Sequence, residues 1–125
     1  MSHAFGFMTT SIQMEFAFAQ VISSGGKVWM FRGLDDGTVQ VLTDTNTRHM
    51  KIEPMRWYDF RVEMDFRVGG QVVFFVNGVQ ITTRTLNGTS GNIAHWDGGI
   101  YNTSTGAAGN RTRTVYISNV SIGEK

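Results

Sequence analysis

Two tryptophans, Trp57 and Trp96, stand among polar residues, and His95, Asp97 and Tyr101 lie beside the second. Sugar rings lie on exposed Trp and Tyr faces while carboxylates, amides and imidazoles bond their hydroxyls. These five residues therefore form the candidate carbohydrate-binding set. Trp57 falls on the polar side of an alternating run, and Trp96 is expected in a Gly-rich loop. Trp29 sits in the apolar run Val28-Trp29-Met30-Phe31 and reads as core. The competing reading is that Trp57 and Trp96 cover a sheet edge or a subunit contact. The residues alone leave both open.

Other chemistries find less support. Eliminating a uronate needs a base for the sugar C5 proton and a cation or amide beside the carboxylate. His95 or Tyr101 are the candidates for the base, and Arg61 or Arg67 for the neutralising group. Glu63 and Asp65, two apart on one strand face, could share acid–base work. This pair resembles part of the Glu-x-Asp-x-x-Glu strand of laminarinase-type glycosidases, but Val68 stands where the third carboxylate would be. Arg61, Glu63, Asp65 and Arg67 read more simply as a solvated face of alternating charge. No catalytic residue is assigned.

Asp35, Asp36, Asp44, His3, His49 and His95 do not cluster as a zinc site requires. No cofactor is expected, with a structural calcium at Asp35-Asp36-Gly37 as the alternative to a simple turn. With no Cys there is neither a thiolate site nor a disulfide framework. Arg111 and Arg113 flank a loop, but Asp35, Asp36, Glu53, Asp59, Glu63 and Asp65 interrupt any basic stripe, so no nucleic-acid partner is expected. Sequons at Asn87, Asn102, Asn110 and Asn119 follow from Asn, Ser and Thr abundance.

The elements that must position these groups are strands. Ile12, Met14, Phe16 and Phe18 alternate with Gln13, Glu15, Ala17 and Ala19, and Tyr58 to Val68 alternates still more regularly. The latter run is long enough to predict a bend or bulge. Turns are expected at Gly25-Gly26, Asp35-Asp36-Gly37, Gly69-Gly70 and Asn77-Gly78. Thr43 to His49, Asn87 to Asn92 and Asn102 to Asn110 read as loops, and Thr114 to Ile122 as a last strand. No segment has helical spacing. Seven to nine short strands over 125 residues predict one domain, residues 1–125, built as an all-β antiparallel sandwich or jelly roll.

From about Trp57 onward the chain resembles the concanavalin-like and laminin-G-like jelly rolls. The residues carrying this are Trp57-Tyr58 opening a strand, the hairpin Phe75-Val76-Asn77-Gly78-Val79, and the ending Val115-Tyr116-Ile117-Ser118-Asn119-Val120-Ser121-Ile122-Gly123. Gly99-Ile100-Tyr101-Asn102 is similar to the end of the alginate-lyase motif Tyr-Phe-Lys-x-Gly-(Ile/Val)-Tyr-Asn. The resemblance implies the fold of polysaccharide lyases. His95 and Asp97 replace that motif's first Tyr and its Lys. No His follows Gln20 as in the lyases' Gln-Ile-His segment, and no Arg-x-Glu-x-Arg strand is found. A non-catalytic protein is expected.

Only 17% of residues are charged, the formal net charge is +1, and 41% are hydrophobic. That is a lightly charged surface with no bias toward anionic membranes. No apolar stretch approaches the roughly 18 residues of a membrane span, and Met1 to Phe7 show no signal-peptide pattern. A sugar-binding fold without a leader fits a protein made in the cytoplasm and placed on a virion surface. The expected partners are copies of itself or other virion proteins, with a glycan as further ligand. The apolar Met1-to-Met8 segment is expected to contact neighbours, and a strand donated by a neighbouring subunit is a further expectation.

Overall fold

Alternation becomes burial most directly at Tyr58–Met64, where Tyr58, Phe60, Val62 and Met64 are buried while Asp59 and Arg61 face solvent. A strand sends successive side chains to opposite faces, so one face meets the core and the other meets water. The computed structural model describes residues 2–11, 14, 16–23, 26–42, 46–65, 67, 69–86, 93–101 and 114–123. Among these there are ten strands and no helix: β1 (Ser2–Thr9), β2 (Phe16–Ser23), β3 (Gly26–Gly33), β4 (Thr38–Leu42), β5 (Asn46–Lys51), β6 (Tyr58–Met64), β7 (Gln71–Val76), β8 (Val79–Thr85), β9 (Ile93–Tyr101) and β10 (Val115–Gly123). They form two five-stranded sheets. The first runs β10-β1-β6-β7-β8 and the second β5-β4-β3-β2-β9, with every pairing antiparallel. This is the sandwich that the alternation predicts.

The core between the sheets is aromatic. Phe5, Phe7 and Phe60 of the first sheet meet Phe16, Phe18, Trp29 and Phe31 of the second, all essentially buried. Phe7 stacks on Phe18 at 4.1 Å, Phe5 on Phe60 at 5.4 Å, and Phe31 stands edge-on to Phe60 at 5.0 Å. Such offset and edge contacts add to the burial of large apolar area.

Four differences from the sequence reading have physical causes. Ser2–Thr9 is an inner strand between β6 and β10, with His3, Phe5, Phe7 and Thr9 turned to the core. Within this chain Ser2–Thr9 is thus an integral strand of the first sheet, with half of its side chains in the core. Residues 46–49, expected in a loop, belong to β5. Polar composition hid them, because an edge strand need bury little. The long run from Tyr58 ends at Met64. There the chain turns, with Arg67 N donating to Asp65 O and Gly70 N to Arg67 O. Residues 93–101 form β9 and not a loop between loops.

The predicted turns at 35–37 and 77–78 are present. Asn77 and Gly78 have φ of 50° and 79°, the left-handed pair that a tight hairpin requires. Asp36 Oδ1 accepts the Thr38 N–H at 2.9 Å, so this carboxylate closes the turn. No group of three potential metal ligands occurs among the described residues. Asp44, Val68, Arg111, Arg113 and the sequons at Asn87, Asn102 and Asn110 lie outside them.

Candidate functional site

The phase of β2 determines what the outer face of the second sheet carries. Strict alternation from Phe16 and Phe18 would place Gln20 in the core. A bulge intervenes: Ala17 pairs with Arg32 and Ala19 with Phe31, so Phe18 and Ala19 together oppose one residue of β3. An extra residue reverses the parity of everything after it. Phe18 and Ala19 both join the core, Val21 follows them inward, and Gln20 turns out.

Gln20 then stands between Met30 of β3 and Asp97 of β9. Its Nε2 donates to Asp97 Oδ2 at 2.8 Å. The neighbouring row contains Gln40, Arg32, Ala17 and Tyr101, and the next on the other side pairs Lys27, Ile22 and His95. Ala17 is fully buried yet outside the core cluster, and it stands between Arg32 and the Tyr101 position. The register thus assembles a row of one amide and one carboxylate, already bonded to each other, with a guanidinium strand nearby. Such planar groups offer fixed donors and acceptors to sugar hydroxyls.

His95, Asp97 and Tyr101 therefore come to one sheet face by backbone register, opposite Ile22, Gln20 and Ala17. For His95 and Tyr101 the side chains lie outside the described residues. The other two members do not join them. Trp96 is in β9, with its ring turned inward, half-buried and edge-on to Phe5 at 5.6 Å. It is a wall of the core and not an exposed platform in a Gly-rich loop. Trp57 is 48% exposed, as its polar neighbours suggested, but it precedes β6 in the other sheet. Gln20 and Arg32, absent from the sequence-derived set, lie in the rows of Asp97 and Tyr101. The only sequence signal for Gln20 was a single amide within Phe16 to Ile22.

Gly98 and Gly99 make this strand possible. Any Cβ on Gly98 would collide with the Trp96 ring, and Ile117 of β10 lies just beyond at 3.1 Å. Gly99 has φ of 128°, a conformation that side chains disfavour. Gly98→Ala is expected to lower stability by about 1–3 kcal/mol through overpacking. Urea unfolding checks this, and an unchanged midpoint would mean the ring moves aside freely.

Among the described residues, the groups named for the alternative chemistries lie apart. Arg61 belongs to β6 and Arg67 to the turn after it, across the sandwich from β9, so neither serves as neutraliser beside His95 or Tyr101. Arg61 pairs with Glu63 at 3.4 Å and Arg67 with Asp65 at 2.6 Å. Each carboxylate of the possible glycosidase pair is thus bound by its own arginine. The first pair lies on β6 and the second in the turn after it, so the four charges are two local ion pairs and not one strand face.

No family model matches this sequence, and no curated protein does. Solved structures match by fold. An alginate lyase from Corynebacterium sp. superposes with a TM-score of 0.68 at 19% identity, over 96% of this chain and 56% of its own. The endo-β-1,4-glucuronan lyase of Trichoderma reesei gives 0.70 at 13% identity, over 95% and 66%. The receptor binding domain of botulinum neurotoxin type G gives 0.62 at 13% identity, over 95% and 33%. This chain spans less than two thirds of each of those chains. The fold is thus the jelly-roll sandwich shared by polysaccharide lyases and receptor-binding domains.

Proposed function

We propose that this sandwich binds a saccharide across the outer face of its second sheet and does not cleave it. The observation that carries this reading is the Gln20–Asp97 hydrogen bond on that face, one row from Arg32. His95 and Tyr101 extend the same face along β9 over roughly 20 Å at strand rise. Support from fold comes from neighbours named as lyases of alginate and glucuronan and as a receptor-binding domain. The expectation of no catalysis rests on the absent lyase motifs. Calorimetry with alginate and glucuronan oligosaccharides tests binding. Asp97→Ala is expected to weaken it about tenfold or more, since it also strips Gln20 of its partner. Binding unchanged in Asp97→Ala and Gln20→Ala would sink the site, and unsaturated product appearing by ultraviolet absorbance would sink the non-catalytic reading.

Assembly with copies of itself on a virion surface is a second reading. Exposed Val120 and Ile122 on the uncharged edge strand β10 support the self-association, because an unprotected edge is a template for pairing. Light scattering across concentration checks it: a stable oligomer is expected, and a monomer throughout would count against it.

A further inference from the structure

The first sheet has an outer face of its own, and β1 runs just inside its β10 edge. The outward positions of β1 are Ser2, Ala4, Gly6 and Met8. Ala4 and Gly6 leave a trough, because their neighbours are larger: Asp59 and Arg61 on β6, and Ser118 and Ser121 on β10. A cavity of about 280 Å³ lies here, lined by Ala4, Gly6, Asp59, Arg61, Gly78 and Asn119.

Three features give this trough a chemical character. The first is a break in register. Ala4 pairs with Ser121 but Gly6 with Ser118, so β10 carries a bulge, and Asn119 within it adopts φ of 51°. Bulges re-aim side chains, and this one brings an amide into the cavity wall. The second is a held cation. The Arg61 guanidinium sits 4.2 Å over the Phe75 ring and 3.4 Å from Glu63, so its ion pair is with Glu63 and not with Asp59 beside it. The third is an aromatic end. Trp57 and Tyr116 are about half exposed. Tyr116 pairs with Met8, and Trp57 precedes Tyr58, the partner of Phe7. The two thus flank Met8, roughly 10 Å apart by strand spacing. The Trp57 ring edge comes to 3.5 Å from where a Gly6 Cβ would be, so glycine lets the ring lie down on β1.

We propose that this trough is a second saccharide site, separate from the face of Gln20 and Asp97, and that it takes a neutral sugar. Trp57 supplies the stacking surface for the sugar's C–H face, while Asp59, Arg61 and Asn119 bond its hydroxyls. The cavity is at the small end of ligand sites, which suits one ring of a chain. Asp59 and Glu63 together outweigh Arg61, which disfavours a uronate carboxylate here. The sandwich then holds glycan on both outer faces, and two linked contacts raise avidity on a surface carrying many chains.

The test is an NMR titration of the whole chain with neutral hexaoses of glucose, mannose and galactose, following the Trp57 indole N–H and the amides of β1 and β6. At least one hexaose is expected to shift them. Trp57→Ala and Asp59→Ala are each expected to weaken that binding roughly tenfold or more, as truncation of a central aromatic or buried hydrogen-bonding anchor does. Asp97→Ala on the opposite face is expected to leave it unchanged, so failure of one site is told apart from failure of the other. Tyr116→Ala, at a half-exposed position, serves as a second variant should Trp57→Ala unfold. The proposal is overturned if no hexaose moves these resonances. It is equally overturned if Trp57→Ala binds as wild type, or if the same resonances shift with protein concentration alone while the mass doubles, which would give the face to a second copy.

Discussion

Phe31→Ala is expected to destabilise the protein by about 3–5 kcal/mol, the range for a fully buried phenylalanine cut to a methyl group. Phe31 is completely buried. Its ring meets Phe18 and Trp29 of its own sheet at 5.8 and 5.6 Å. Across the interlayer space it meets Phe5, Phe60 and Phe74 at 6.2, 5.0 and 5.5 Å. Removing it opens a void that five rigid rings cannot close, because planar aromatics have few rotamers with which to fill a gap. Since domains of this size are stable by only about 5–15 kcal/mol, the variant should sit near the edge of folding at room temperature. Urea or thermal unfolding followed by circular dichroism measures the loss. A cost below about 1 kcal/mol would mean that the core rearranges and the rings are not interlocked. Phe31→Leu, which keeps most of the volume, should recover much of the stability.

Acid should weaken the fold through His3 before it protonates the carboxylates. His3 is 1% exposed and edge-on to Trp29 at 5.9 Å, and its register partners Val62 and Ile122 are apolar. Neither ring nitrogen finds a hydrogen-bond partner among the described residues. Burial holds the imidazole pKa below its ordinary 6.5, since the charged ring cannot be solvated there. The unfolded chain takes up a proton on this histidine near pH 6.5, while the folded chain does not until lower pH. Stability is therefore fully present above the unfolded value and is lost as pH falls through the window beneath it. The slope approaches about 1.4 kcal/mol per pH unit for a single group. His3→Leu should flatten the stability profile just below about pH 6.5 and raise the plateau, because no unpaired polar nitrogen is then buried. If wild type and variant show parallel profiles over that window, His3 is not the group responsible.

Much of this architecture was legible in the chain. The regular run from Tyr58 as far as Met64, the Asn77-Gly78 turn and the Val115-to-Ile122 ending each became the element that their spacing predicts. Period-two burial and left-handed turn geometry are local properties, set by the residues themselves. What hid was the opposite kind. Ser2–Thr9 carries the same alternation, with His3 in an inward place, but a polar residue near a terminus reads as surface until a partner strand on each side shows it buried. Asn46–Lys51 is polar because it lies at a sheet edge, and edge position is a matter of topology.

The site separated along the same line. The residue types for holding a sugar, and the half-exposed Trp57, could be named from the sequence. Their grouping could not. Trp96 and Asp97 are neighbours in the chain and must point to opposite faces of β9, so one lines the core and the other meets Gln20. Trp57 and Asp97 belong to different sheets, which places them on opposite sides of the molecule. Gln20 reaches the outer face only because Phe18 and Ala19 share one partner on β3. The sequence by itself determined that this is an antiparallel sandwich with sugar-compatible groups, because alternation and turns are encoded within a few residues. Which groups share a face was decided only in the tertiary structure, because parity along a strand is reset by a single bulged residue and bulges answer to the neighbouring strand.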